Sequence, residues 1–272
     1  MKKALLSLLL IGMIVFAWAA VVAAEAAKPE RIRSGDYAYI LNGDGTATLV
    51  DFHAQGDPLT LVGGERHLVL PGEIDGIAVT GLGKDTFSYR NFHYTYRIEE
   101  ESIEGLIILE LPDSLTIIEA NALFYFDGAA VSADNPTFEI IDGVLFRKSD
   151  KALIWYSQFF EAEEYIIPSG IEKIGDFAFH FCYNLTSIIF PDSVTNIGYS
   201  AFYDCSSLTS LVIPDGVKEI GDYAFTNCMS LNSIVIPDSV TEISDYLFCG
   251  CDGLTSIVIP DGVTAIGDRA FL

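Results

Sequence analysis

Cysteine is the residue best equipped for chemistry in this chain, and four of the five, Cys182, Cys205, Cys228 and Cys251, stand 23 residues apart. Thiols can bind soft metals or exchange disulfides, but a fixed spacing places each in a separate structural unit. It predicts a column of small buried thiols that pack as hydrophobes. An oxidising compartment would permit disulfides, and stacked units could bring Cα atoms within bridging range. Cys249 breaks the row, so Cys249-Gly250-Cys251 is the one place to look for redox or metal chemistry. Its spacing is not the Cys-x-x-Cys of common zinc and redox sites.

The other reactive types give less. His53, His67, His93 and His180 are scattered without metal-ligand spacing. Neither Gly-x-Ser-x-Gly nor His-Glu-x-x-His occurs, and Gly81-Leu82-Gly83-Lys84 lacks the outer elements of a phosphate loop. Asp192, Asp215, Asp238 and Asp261 form a row that calcium could neutralise. A calcium site takes about six to eight oxygens, however, and one carboxylate per unit suits a turn better. Asn184-Leu185-Thr186 fits a glycosylation pattern, but Leu185 belongs to the core. No catalytic residue, metal ligand or cofactor site is assigned, and an enzyme is not expected.

The elements that carry these rows are repeats. Pro168, Pro191, Pro214, Pro237 and Pro260 share the period, as do Leu185, Leu208, Leu231 and Leu254. A period of about 20–50 residues marks a solenoid, in which no unit buries its own apolar face and stacking makes the core. Within one unit, Leu254, Ile257 and Ile259 point inward from a short strand that Pro260 ends. Asp261-Gly262 turns the chain, Gly267 allows a bend, and Ala270 with Phe271 refill the interior. Phe179, Phe202, Phe225, Phe248 and Phe271 share a core slot. Phe177, Ser200, Tyr223, Tyr246 and Arg269 share a slot read as solvent-facing.

Around this array the chain divides. Residues 1–27 read as a signal peptide, with Lys2 and Lys3 before an apolar Leu5–Trp18 stretch and a run of small residues. The rival reading is a retained membrane anchor. Residues 28–70 suggest a β-rich cap with a hairpin at Asn42–Gly45. Degenerate repeats follow over 71–124, then an insertion over 125–165 with two strands around a Lys148–Lys151 turn. Regular repeats fill 166–272 and stop mid-unit, which reads as truncation or as an end that docks on another copy. A net charge of −23 argues against nucleic acid and anionic membranes as partners, while the 50% hydrophobic content argues against disorder.

The phrase Cys-x-x-Leu-x-x-Ile-x-Ile-Pro-x-x-Val-x-x-Ile-Gly-x-x-Ala-Phe resembles the BspA-like class of leucine-rich repeats, as do Asn135-Pro136 ahead of Asp142-Gly143-Val144-Leu145-Phe146 and Glu73–Ile77 ahead of Val79-Thr80. The resemblance implies a curved right-handed coil with a parallel sheet on its concave face. Short helical or extended segments return the chain. It also implies secreted or cell-surface proteins, some of which bind host matrix proteins or other cells. On that reading the outward strand positions are the candidate binding face: Ser187, Ser210, Ser233 and Ser256 in one row, Ile189, Val212, Val235 and Val258 beside it, and Thr186, Thr209, Asn232 and Thr255 in a third. The expected partner is an extracellular protein or glycan. The alternatives are a structural role in the producing cell's own envelope and a hydrolase with its site in the insertion.

Overall fold

The structure, a computed structural model, describes residues 29–53, 58–62, 65–84, 86–87 and 107–272. The export segment 1–27, Asp85 of the degenerate repeats and His93 lie outside the described residues. Strands Ile32–Ser34, Tyr37–Leu41 and Ala47–Phe52 form an antiparallel meander. Its hairpin closes where Asn42 N donates to Thr46 O at 2.8 Å. Ala47–Phe52 then pairs in parallel with Ile77–Leu82, which pairs in parallel with Ile117–Ile118. In a second sheet, a Thr60–Val62/Glu65–Val69 hairpin leads in parallel through Ile107–Glu110 to Gly128–Ala130.

The same plan recurs further on. Phe138–Ile141, Val144–Arg147 and Ala152–Trp155 make a second antiparallel meander. Its last strand starts a parallel ladder through Lys173–Ile174, Asn196–Ile197 and Glu219–Ile220. A companion ladder joins Glu164–Ile166, Ser187–Ile189, Ser210–Val212 and Ser233–Val235. Partners such as Ser187, Ser210 and Ser233 stand one repeat apart, so like residues form columns. The last coil departs from the expectation: residues 256–259 form no strand, and the edge of this ladder is Ser233–Val235.

After the two-residue strands, which are the extended part of the return legs, the chain forms no helix among the described residues and continues as turns. They nevertheless form a third column of coil-to-coil bonds. Phe177, Phe179 and Phe181 donate their N–H groups to Tyr199, Ala201 and Tyr203, while Ala178, His180 and Cys182 bond within their own coil. The alternation depends on left-handed residues. Phe177, Ser200, Tyr223, Tyr246 and Arg269 have φ between 49° and 60°, and Phe181, Asp204, Asn227 and Gly250 fill a second such slot. Each non-glycine costs roughly 1–2 kcal/mol in that region, offset here by backbone pairing across coils.

Gly267 also permits close approach between coils. A Cβ there would lie 2.4 Å from Asp245 Oδ1, and one on Gly221 would lie 2.6 Å from Tyr199 N. Two cores meet at the second meander. Phe138, Leu145 and Trp155 pack with the N-terminal core, while Val144, Phe146, Leu153 and Tyr156 pack with the repeat core. Alternation along Val144–Arg147 thus sends side chains to both, and the inserted segment lies between the two halves as a shared layer.

Candidate binding face

The strand alternation of the regular array decides what it displays. Ile188, Leu211 and Ile234 are buried, so their neighbours on either side face out. Ile189, Val212, Val235 and Val258 are 48%, 70%, 56% and 83% exposed. Ile166, 61% exposed and paired with Ile189, extends the row by one coil that the sequence reading did not include. Ser210, Ser233 and Ser256 are exposed beside it. Ser187 is half-buried, and its Oγ donates to Glu164 Oε2 at 3.1 Å. The threonine row is partly engaged: Thr186 and Thr209 donate Oγ1–H to the carbonyls of Glu163 and Thr186, tying each coil to the one before.

This face is uncharged. Residues 186–189, 209–212, 232–235 and 255–258 include no ionisable side chain, in a chain of net charge −23. Acidic groups border it at one end, where Glu163 and Glu164 are exposed. Val258 belongs to the row by sequence position but stands outside the ladder, because its coil forms no strand there.

The remaining rows are structural. Cys182, Cys205, Cys228 and Cys251 are buried free thiols. The last three donate to Phe179, Phe202 and Phe225 carbonyls at 3.0–3.3 Å, a bond that spacing alone does not show. Burial pushes the Cys205 and Cys228 thiols well above their usual range. Cys249 is also free and half-buried. No group of three His, Cys, Asp or Glu side chains among the described residues is placed to hold a metal. Asp192, Asp215, Asp238 and Asp261 are exposed.

A different aspartate row bridges coils. Asp176 Oδ1 accepts from Tyr199 N at 2.8 Å, Asp222 Oδ1 from Asp245 N at 3.1 Å, and Asp245 Oδ1 from Asp268 N at 2.6 Å.

The slot read as solvent-facing is half-buried at Phe177, Tyr223 and Tyr246 and exposed only at Arg269, and its aromatic row is continuous. Ser200 is buried and the preceding Tyr199 takes the ring position, giving contacts from Phe177 to Tyr199, Tyr223 and Tyr246 at 4.6–5.5 Å. Arg269 closes the row over Tyr246, 5.6 Å from the ring centre. Tyr223 and Tyr246 stack within 10° of parallel, so neighbouring rings occupy the faces that a sugar would need. At the junction of the two halves, a cleft of about 730 Å³ is lined by Phe124, Phe177, His180, Phe181 and Tyr199 among others. Burial lowers the His180 imidazole to about 4, and its Nδ1 lies 3.0 Å from Asn121 Oδ1.

Comparison with known proteins bears on these columns. Residues 154–272 match the model of the BspA type leucine rich repeat region in six copies. Among solved structures, the chain is similar to a leucine-rich repeat protein from Eubacterium ventriosum, at 17% identity and a TM-score of 0.46, covering 88% of this chain and 92% of that one. It is similar to a leucine rich cell surface protein from Faecalibacterium prausnitzii, at 20% identity and 0.44, covering 89% and 95%. A pneumococcal vaccine antigen gives 18% identity and 0.45, covering 88% and 93%. No curated protein matches the chain.

Proposed function

We propose, for a chain whose residues 154–272 are a BspA type leucine rich repeat region, that it is a non-enzymatic binding protein acting at or beyond the cell surface. It engages an extracellular partner through the strand face of the repeats, as adhesion-type proteins do. The observation that carries this reading is the exposed Ile189–Val212–Val235 row, continued by Ile166 and Val258 at its ends, on a face that from residue 186 onward carries no ionisable side chain in an otherwise strongly acidic molecule. Contiguous exposed apolar surface is uncommon without a partner. An uncharged docking face also avoids the repulsion that such a net charge imposes elsewhere. Among the described residues no helix is long and apolar enough to cross a membrane.

The test is the triple substitution Val212→Thr, Val235→Thr and Val258→Thr. It keeps β-branching, and with it strand preference, while removing the apolar row. Capture of matrix proteins or whole cells by the immobilised protein is expected to fall about tenfold, or 1.4 kcal/mol, with melting unchanged. Undiminished capture would exclude this face.

A further inference from the structure

We infer that the strand face takes a neutral, unbranched glycan chain lying along the columns, with one sugar set against each coil. This rests on the docking face proposed above and names the class of ligand. Three observations on that face converge. The first is its pairing of functions. A column of hydroxyls at Ser210 and Ser233 runs beside the apolar column of Val212 and Val235, and Ser256 and Val258 hold the same repeat positions in the last coil, beyond the edge of the ladder. Among the described residues those three serines make no side-chain hydrogen bond, so their hydroxyls are available. A pyranose presents the matching pair, hydroxyls at its edge and C–H groups across its face.

The second is pitch. Stacked strands repeat at about 4.7–4.9 Å, close to the rise of one ring in an extended β-linked polysaccharide. Successive rings in such a chain are turned over relative to one another, but each carries hydroxyls at both edges and C–H groups on both faces, so each can set an edge against the serine column and a face against the valine column. A protein surface without stacked strands has no such repeat and would match the rows at one place only. The third is charge. Residues 186–189, 209–212, 232–235 and 255–258 offer no cation to an acidic polymer, and Glu163 and Glu164 at the border repel one. The tyrosine row elsewhere is a poorer platform, since Tyr223 and Tyr246 stack on one another and Tyr199 is tilted against its neighbours Phe177 and Tyr223 at 5.3–5.5 Å. Without an aromatic platform each sugar contributes little, and affinity accumulates coil by coil.

Titration calorimetry with β-1,4-glucose and β-1,4-N-acetylglucosamine oligomers, from dimer to hexamer, tests this on the full chain. The expected result is an affinity that rises several-fold with each added sugar up to the tetramer and flattens beyond it. The tightest oligomer should lose about tenfold in the Val212→Thr/Val235→Thr/Val258→Thr variant, and again in Ser210→Ala/Ser233→Ala. Circular dichroism establishes that both variants are folded.

Binding that ignores oligomer length, or that both variants retain in full, overturns the glycan inference. If no oligomer binds while the valine variant still loses protein or cell capture, the ligand is a protein and the docking face stands. If the variants change neither assay, both readings fall together.

Discussion

His180 rests against Phe181 with ring centres 4.0 Å apart and is hemmed by Phe124, Phe177 and Tyr203. Nothing in its sequence position separates it from the other histidines, because the ring cage is assembled from Asn121–Tyr125 and from two later coils. Its imidazole is held neutral, with burial lowering it from 6.5 to about 4. The unfolded chain takes up the proton first, so His180 supports folding above pH 6.5 and loses that support as pH falls from 6.5 toward 4. The loss is about 2–3 kcal/mol. Urea midpoints for the native chain and His180→Gln, compared at pH 7 and pH 4.5, should converge at the lower pH. A constant gap between them would contradict the assignment. Tyr199 is a second case of limited legibility. Its coil reads Gly-Tyr-Ser-Ala-Phe, whereas every other coil of the regular array has Asp in the second place and the coil at 221–225 reads Gly-Asp-Tyr-Ala-Phe. A tyrosine one place early looks like a missing member of the row until backbone geometry places the ring.

At the scale of a single coil, the strand, its proline stop and the phenylalanine slot were readable because each has a residue-type signature. Phe179, Phe202, Phe225, Phe248 and Phe271 stack at 4.9–5.7 Å within 18° of parallel. The return leg was harder to read, since bulky Phe177, Tyr223 and Tyr246 occupy a left-handed conformation that favours glycine. Gly250 shows the relaxed choice in the second slot, where Asp204 has a φ of 58° and a carboxyl raised by burial. Asp204→Gly should therefore stabilise the fold by about 1 kcal/mol, read as a higher urea midpoint.

The bridging aspartates give a second element-scale test. Asp245→Ala removes the acceptor for Asp268 N and should cost about 1 kcal/mol. Asp245→Asn keeps an acceptor and lessens repulsion along the row, so its midpoint should match the native value or exceed it. Equal losses in both variants would show that the bond contributes nothing.

For the whole molecule, the period forecast stacked coils but not the position of the inserted segment. Insertions in repeat arrays usually project as loops. Here strands Val144–Arg147 and Ala152–Trp155 face two cores at once and close one half against the other. The sequence carries only a local sign of this, a run of apolar residues without clean alternation at Val144–Phe146 and Ala152–Tyr156. That is the pattern of a strand buried on both sides, and it does not name the neighbours. The face that carries the proposed function depends on the register between coils rather than on any single side chain.

That register is tested most directly by equilibrium urea unfolding of two deletions. Removing residues 209–231 excises one whole unit and rejoins Leu208 to Asn232, while removing 209–219 leaves a broken one. In a stack of equivalent coils, the whole-unit deletion should keep a single cooperative transition, with a loss confined to one coil and its interface. The partial deletion should abolish the transition of the repeat half. Two deletions equally tolerated, or a whole-unit deletion that unfolds the entire array, would contradict the stacked register and the binding face built on it.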